Sequence, residues 1–375
     1  MQLGPNQSLI GSRDFAERLA TPALIVDLDA LESNIRKMSS LVEQSGRKHR
    51  PHVKAHKSSV IGRRQIDAGA IGLCCATIRE AEAMAAAGLS GLLVTAPVVT
   101  PSSVARLAQV RAQIDELMVV VESDMAIDAL MSCLSADRPV DVLIDIDMSM
   151  GRTGLTEPSE AVRLANRVAK APQLRYRGIQ AYYGHLQHVP TLAERHERVA
   201  EQWRRLSGFI HALQSAGLKP DIVSGGGTGT YHLDLEFGPF TEIQPGSYIF
   251  MDKQYGAVEL APGGSPFKTA LNVAARVVSV VQPDRVIIDA GYKAMATDAG
   301  PAMVASGAAA DATYQFMGDE HGALRFTDHA LRPKLGDLVR LVSPHCDPTI
   351  NLHNQIHIVQ DGQLVDIWPI EARGY

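Results

Sequence analysis

"PALIVDLDALESNIRKMSSLVEQSG", residues 22–46, holds a short β-rich run, then a helix, and no glycine-rich turn between them. The first part, "PALIVDLD" (22–29), has the branched apolar residues of a strand. In the second part Leu31, Ile35, Met38 and Val42 recur at three- and four-residue steps, which makes one apolar helix face. Asp29 with Glu32 three residues on resembles a capping box with Asp in place of Ser or Thr, and Gly46 is a plausible stop. Strand followed by helix is the α/β unit. A dinucleotide-binding open sheet needs G-x-G-x-x-G at this turn, and its absence lowers the doubly wound reading against a closed barrel.

The unit repeats along the chain. Further strand candidates are "PHVKA" (51–55), "AIGLCCA" (70–76), "GLLVTA" (91–96), "ELMVVVES" (116–123), "DVLIDID" (141–147), "YRGIQAYY" (176–183), "DIVSGG" (221–226) and "EIQPGSYIF" (242–250). Helical stretches separate most of them, for example the one ending at Gly217. With the first run there are nine candidates, whereas a (β/α)8 barrel of the TIM type takes eight, so one belongs elsewhere. After about residue 255 the helices vanish and β-hairpins follow, with "QDGQ" (360–363) a hairpin turn signal. A second, mostly β domain is expected beyond a boundary near "LAPGGSPF" (260–267).

Composition narrows the partners. The 375 residues suffice for about two domains, and 46 % hydrophobic with 21 % charged residues is a globular balance. A net charge of −5 without a long basic run argues against nucleic acid. The longest apolar runs are strand-length, so no membrane span is expected. The N-terminus lacks a charged-then-apolar signal pattern, and four cysteines, two of them adjacent (Cys74, Cys75), make no disulfide framework. These features read as a reduced, cytoplasmic protein.

Four places carry chemistry. Lys54 lies at a strand's C-terminal end, where a barrel's active-site mouth would be; desolvated there, its pKa would fall and it could form an imine with an aldehyde. Taken alone, the residue is more readily read as a surface lysine just past a strand end. "SGGGTGT" (224–230) and "QPGSY" (244–248) are glycine turns after the last two barrel candidates, where backbone N–H groups can close on a small phosphate, though either is also read as a tight turn. In "SPHCDPT" (343–349), His345 and Asp347 would share one side of an extended segment and could hold Mn²⁺, Zn²⁺ or Mg²⁺, with Cys346 pointing away. "DMSMGRTG" (147–154) brings Arg152 as a cation for an anion or ring nitrogen, and "AYYGHLQH" (181–188) brings Tyr182, Gln187 and His188 as a ring, an amide and a base. "DEHG" (319–322) also looks site-like, without an assignable role.

Together these segments resemble the D-threonine aldolases and D-3-hydroxyaspartate aldolases, metal-activated pyridoxal-phosphate enzymes of the alanine racemase fold (fold type III). The likeness rests on "TPALIVDLDALESNIRKM", "RPHVKAHKS", "GLCCATIREAE", "GRTG", "GIQAYYGHLQH", "SGGGTGT", "QPGSYIFMD", "DEHG", "HCDPTINLH" and "WPIEARGY", which run in family order from residue 21 to the C-terminus. It implies that Lys54 is the Schiff-base lysine and that the barrel begins with the lysine strand. The domains would then be 28–255 for the cofactor barrel, and 1–27 plus 256–375 for a β domain carrying the metal ligands. It implies phosphate contacts from Gly226, Gly227, Thr228, Gly246, Ser247 and Tyr248, with Arg152 and Tyr182 near the cofactor ring. His188 matches the family's base, and His345 and Asp347 its metal ligands, with Mn²⁺ the foremost ion.

The implied reaction is cleavage of a D-3-hydroxy amino acid to glycine and an aldehyde, by a homodimer with one subunit's β domain near the other's barrel mouth. The dehydratase branch of the fold has cysteine where this chain has Asp347, which tilts the reading toward carbon–carbon cleavage. A D-3-hydroxy amino acid dehydratase remains the alternative, ahead of a racemase or a non-catalytic pyridoxal-phosphate carrier. Tyr183 and His185 depart from the family pattern, and both are expected at the substrate mouth.

Overall fold

The computed structural model describes residues 4–327 and 332–374; the first three residues of the expected β domain and the last tyrosine of "WPIEARGY" lie outside them. β1 (Ala23–Asp27) runs straight into the helix Leu28–Gln44, whose Leu31, Ile35, Met38 and Val42 are all buried. The cap is Asp27, not Asp29: its side chain accepts from the Ala30 N–H at 2.8 Å. The helix begins directly at the strand end, so Asp27 is the residue still extended and within reach of the open N–H groups.

Eight parallel strands follow: β2 (Lys48–His49), β3 (Leu73–Cys75), β4 (Leu92–Val94), β5 (Leu117–Val121), β6 (Val140–Asp147), β7 (Leu174–Tyr182), β8 (Ile222–Gly225) and β9 (Glu242–Ile243). They pair in the order β2-β9-β8-β7-β6-β5-β4-β3, and a parallel bridge from His52 to Cys74 joins the two ends into a barrel. Two strands are shorter than the sequence suggested. Pro51 and Pro245 have no N–H to give a ladder. Beyond them the chain turns into 3-10 segments, Val53–Ala55 and Ser247–Ile249, which replace the expected strand ends at 51–55 and 242–250. The period of two sorts the wall: Cys74, Leu93, Met118, Val120 and Leu143 form an inner cluster, while Leu73, Cys75, Leu92, Val94 and Val119 join the core under the helices. All four cysteines are free.

The second sheet is built from β10 (Leu271–Ser279), β11 (Arg285–Ile288), β12 (Met303–Ser306), β13 (Thr313–Phe316), β14 (Gly322–Arg325), β15 (Leu338–Val342), β16 (Gln355–Gln360) and β17 (Gln363–Pro369). β10 pairs with both β15 and β11, so six of these strands close on themselves. Asp361 and Gly362, with φ of 48° and 73°, make the tight turn between β16 and β17. β1 sits between β10 and β16, antiparallel to the first and parallel to the second. The ninth run is therefore a strand of this sheet. Among the described residues no helix is long and apolar enough to cross a membrane.

Candidate active site

A cavity of about 310 Å³ opens where the barrel strands end. The basic cluster after β2 is sorted by its turn: Lys54 lines the cavity, His56 is fully buried, and Lys57 is held by Glu80 at 2.6 Å. Lys54 Nζ lies 3.3 Å from Asp347 Oδ2, a contact between the barrel and the segment that joins β15 to β16. Burial pulls the Lys54 pKa down, yet the Asp347 carboxylate and the neighbouring Tyr182 outweigh it, and the net shift is upward. The lowered pKa expected from desolvation alone is thus corrected by a carboxylate that sequence distance concealed. Asp347 is pushed up by burial but pulled further down by Lys54 and His345, to about 2.

His345 and Asp347 do not lie on an extended segment. His345 precedes the short helix Cys346–Asn351, and Asp347 is in its first turn. The helix is anchored to the barrel by the Cys346 N–H, which donates to Asp252 Oδ2 at 2.9 Å, and Cys346 itself is buried. His345 Nδ1 lies 2.7 Å from Asp298 Oδ2, which leaves Nε2 as the free ring nitrogen. Ser247 Oγ donates to Asp347 Oδ1 at 3.1 Å. Near them, the half-buried His188 packs its ring 4.5 Å from that of Tyr255. Burial, with His345 adding to it, lowers the His188 pKa to about 4, and its Nε2 has no hydrogen-bond partner among the described residues.

The two glycine turns meet at the cavity, which Gly227, Thr228, Gly246 and Ser247 line. Thr228 Oγ1 accepts from the N–H groups of Gly246 and Tyr248, each at 3.2 Å, so the turns are tied to one another and its own proton is free to donate elsewhere. Among the described residues, neither the Thr228 nor the Ser247 N–H donates to a protein acceptor, although both residues are buried. Buried N–H groups without a partner are rare, and two at one cavity could close on an anion. Gly226 and the Tyr248 side chain stand behind this lining: Gly226 has φ +65°, and the Tyr248 hydroxyl accepts from Gln65 Nε2 at 3.1 Å. Arg152 and Tyr182 both line the cavity, the guanidinium 5.6 Å from the ring centroid.

Other expectations change. Tyr183 is fully buried and faces away from the cavity, as strand alternation beside the inward Tyr182 requires, and His185 is exposed without lining it. The "DEHG" acids pair with Lys293, Glu320 at 2.6 Å and Asp319 at 3.7 Å, on a hairpin tip. Sequence reasoning missed His52, Thr95, Gln180, Gln244 and Tyr255 in the lining, and Asp298 behind His345. Gln180 was within reach, since it shares a strand face with Tyr182 two residues on.

Residues 26–254 match the family described as alanine racemase, N-terminal domain, and residues 270–359 match a putative serine dehydratase domain. The chain is 37 % identical to a D-threonine aldolase from Arthrobacter sp. over 96 % of its length and 94 % of that protein. It is 37 % identical to a 3-hydroxy-D-aspartate aldolase from Paracoccus denitrificans (strain Pd 1222), over 95 % of this chain and 92 % of the relative. The crystal structure of a D-threonine aldolase from Filomicrobium marinum superposes with a TM-score of 0.92 at 35 % identity, covering 97 % of both chains. A D-threo-3-hydroxyaspartate dehydratase from Delftia sp. (strain HT23) is more distant, 31 % identical over 76 % of this chain and 74 % of its own. With two aldolase relatives matched across nearly the whole chain, and a fold family whose cofactor is pyridoxal phosphate, the protein belongs to the D-threonine and 3-hydroxy-D-aspartate aldolase branch of the alanine racemase-fold lyases.

Proposed function

We propose that this chain cleaves D-3-hydroxy amino acids of the D-threonine and 3-hydroxy-D-aspartate kind between Cα and Cβ, with pyridoxal 5'-phosphate and a divalent cation. The observation that carries the reading is the 3.3 Å approach of Lys54, from the barrel, to Asp347, from the second sheet. It sets a cavity lysine beside a carboxylate that has a histidine two residues before it.

The residues fit both groups. Lys54 is the amine for the cofactor's aldehyde, and the free N–H groups of Thr228 and Ser247, with the Thr228 hydroxyl, suit its phosphate. Arg152 and Tyr182 flank the space left for its ring. His345 and Asp347 would hold the cation, and the Asp298 carboxylate on the far nitrogen of His345 is the outer partner that orients a ligating histidine. Two protein donors leave positions for substrate and water, and Mn²⁺ is the ion we expect first, with Mg²⁺ or Zn²⁺ also suited to imidazole and carboxylate.

When bound, pyridoxal phosphate supplies an electron sink for charge developing at Cα. The cation supplies a Lewis acid for the substrate hydroxyl. His188, kept neutral at pH 7 and with Nε2 unpartnered, accepts the proton of that hydroxyl. The Cα–Cβ electron pair stays on Cα, which takes a proton to give glycine, and the former hydroxyl carbon leaves as the aldehyde. From the family resemblance we also infer a cytoplasmic homodimer, which cell fractionation and sedimentation of the purified chain would check.

Incubation with D-threonine and Mn²⁺ tests the reaction: glycine plus acetaldehyde is expected, and ammonia plus a 2-keto acid would make the chain a dehydratase instead. Borohydride reduction followed by peptide mapping should place the trapped cofactor on Lys54. Activity that survives exhaustive chelation would remove the cation from the scheme.

A further inference from the structure

Behind the cavity, buried side chains that do not line it join the loop 226–230 to the segment carrying His188. The Tyr183 hydroxyl donates to Asp234 Oδ1. Trp203 Nε1, from the helix Leu192–Ser215, donates to the same oxygen and to Tyr183 Oη, each at 3.2 Å. Asp234 is fully buried on the helix Tyr231–Glu236 that ends the loop. A Cβ at Gly226 would stand 2.4 Å from its Oδ2, so the carboxyl is seated directly against the loop backbone. Burial pushes this carboxyl up to about 7, against the pull of Thr230, Tyr183 and Trp203.

Gln187 repeats the arrangement further along. Its Oε1 accepts from the Gly229 N–H at 2.8 Å, and its Nε2 donates to Thr230 Oγ1 at 3.1 Å. Thr230 Oγ1 in turn accepts from the Gly227 N–H at 3.2 Å. Along 182–188 the chain thus divides its side chains: Tyr182 and His188 serve the site, while Tyr183 and Gln187 hold the loop. That loop contains Gly226, Gly227 and Gly229, and glycines have the most backbone freedom to lose when they order around a ligand.

We propose that Tyr183, Gln187 and Asp234 are positioning residues, a buried clamp that fixes loop 226–230 to segment 182–188 so that the free N–H and hydroxyl of Thr228 are set for a phosphate before one arrives. The inference rests on the proposed function, because it takes the phosphate of pyridoxal phosphate as the occupant. None of the three residues lines the cavity. Their effect must therefore appear in the phosphate's share of cofactor binding, not in the aldehyde's.

Full-length protein, freed of cofactor, would be titrated with pyridoxal 5'-phosphate and separately with pyridoxal, which has the same ring and aldehyde but no phosphate. Tyr183→Phe should weaken the phosphorylated form about tenfold, the size of one hydrogen bond to a charged group, and leave pyridoxal within about twofold. Gln187→Met reads the same ratio from the other end of the clamp, should Tyr183→Phe fold poorly. A parallel loss of both ligands, or no change in either, would overturn the clamp and make these residues packing only. Wild-type protein that prefers the phosphorylated form, beside a variant that keeps the same preference, overturns the clamp alone. Wild-type protein that binds neither form overturns the proposed function and the clamp with it.

Discussion

At the floor of the barrel Arg50 and Glu242 meet twice, Nε to Oε1 at 3.0 Å and Nη2 to Oε2 at 3.1 Å, with side chains 5 % and 3 % exposed. At the mouth Lys54 and Asp347 meet once, at 3.3 Å, with side chains 40 % and 11 % exposed. The floor pair is the planar, two-point geometry that guanidinium and carboxylate share, and Arg50 gives its remaining reach to the Gly91 carbonyl. Glu242 in turn accepts from Ser224 Oγ at 2.7 Å. Charge there is consumed by structure. The mouth pair joins a flexible ammonium to a carboxylate that also faces Ser247, and neither group is saturated. A cation at Asp347 could take the place of the ammonium, whereas nothing displaces Arg50 without leaving Glu242 bare. Size points the wrong way: the floor cavity, at about 560 Å³, exceeds the one at the mouth. What distinguishes the mouth is its unspent donors and acceptors.

The comparison breaks most visibly at Lys54. Lys54→Ala should lower turnover by more than the about 10²–10⁴-fold that loss of a general base costs, while unfolding free energy changes by about 1 kcal/mol or less. Glu242→Ala should do the reverse, costing about 3–5 kcal/mol of stability because it strands a buried guanidinium. Its folded fraction should keep turnover within about tenfold of wild type, since the mouth chemistry does not use the pair. The double substitution Arg50→Met with Glu242→Leu should recover much of that stability, as buried pairs exchanged for apolar residues of similar volume do. Urea denaturation and turnover, measured on the same samples, check all three. A Glu242→Ala protein that is stable but inactive would mean that the floor is part of the site.

The difference between the two ends also explains what the sequence could convey. "ELMVVVES" (116–123) and "DVLIDID" (141–147) read as strands because parallel strands covered on both faces are near-continuous apolar runs, and β5 and β6 fall on them. The lysine strand is shorter than its sequence suggests: its ladder is two residues, and the closing contact is a single bridge from His52 to Cys74. β1 looks like any barrel strand; its partners lie more than two hundred residues away, and no local pattern announces them. Lys54, His345 and Asp347 are legible as residue types; their convergence is implied by the family resemblance and not by any local pattern. The reversal of the Lys54 shift follows from Asp347, which only the fold brings near. Alternation alone separates Tyr183 from Tyr182, because neighbours along an extended segment face opposite sides.

A smaller effect separates the ends by pH. His49, next to Arg50 at the floor, is buried, and burial lowers its pKa from 6.5 to about 4. The unfolded chain then binds more protons than the folded one between those values, so this contribution is full above pH 6.5 and is lost as pH falls through 4. For one residue the loss is on the order of 3 kcal/mol. Urea midpoints followed from pH 7 to pH 4 should fall steeply in wild type and less so in His49→Leu. An unchanged slope would assign the acid sensitivity to the mouth.

The finest test lies where the 244–248 turn touches Asp347, one of the two proposed cation ligands. Ser247 has a free N–H at the cavity and donates its hydroxyl to Asp347, so under the proposed function one residue would serve two ligands through different atoms. Ser247→Ala removes only the hydroxyl. Loss of a partner that orients a metal ligand costs about 10–100-fold in metal affinity, and a single 3.1 Å bond to one carboxylate oxygen belongs at the lower end. The expected outcome is about a tenfold rise in the Mn²⁺ concentration needed for half-activation, with affinity for pyridoxal phosphate unchanged because the backbone donor remains. If both affinities fall together, the two turns act as one unit, and the mouth is more rigid than its single ion-pair contact suggests. If only the cation is affected, the loop backbone and its side chain act separately, and the exchangeable character of the Lys54–Asp347 contact extends to the second ligand of that carboxylate.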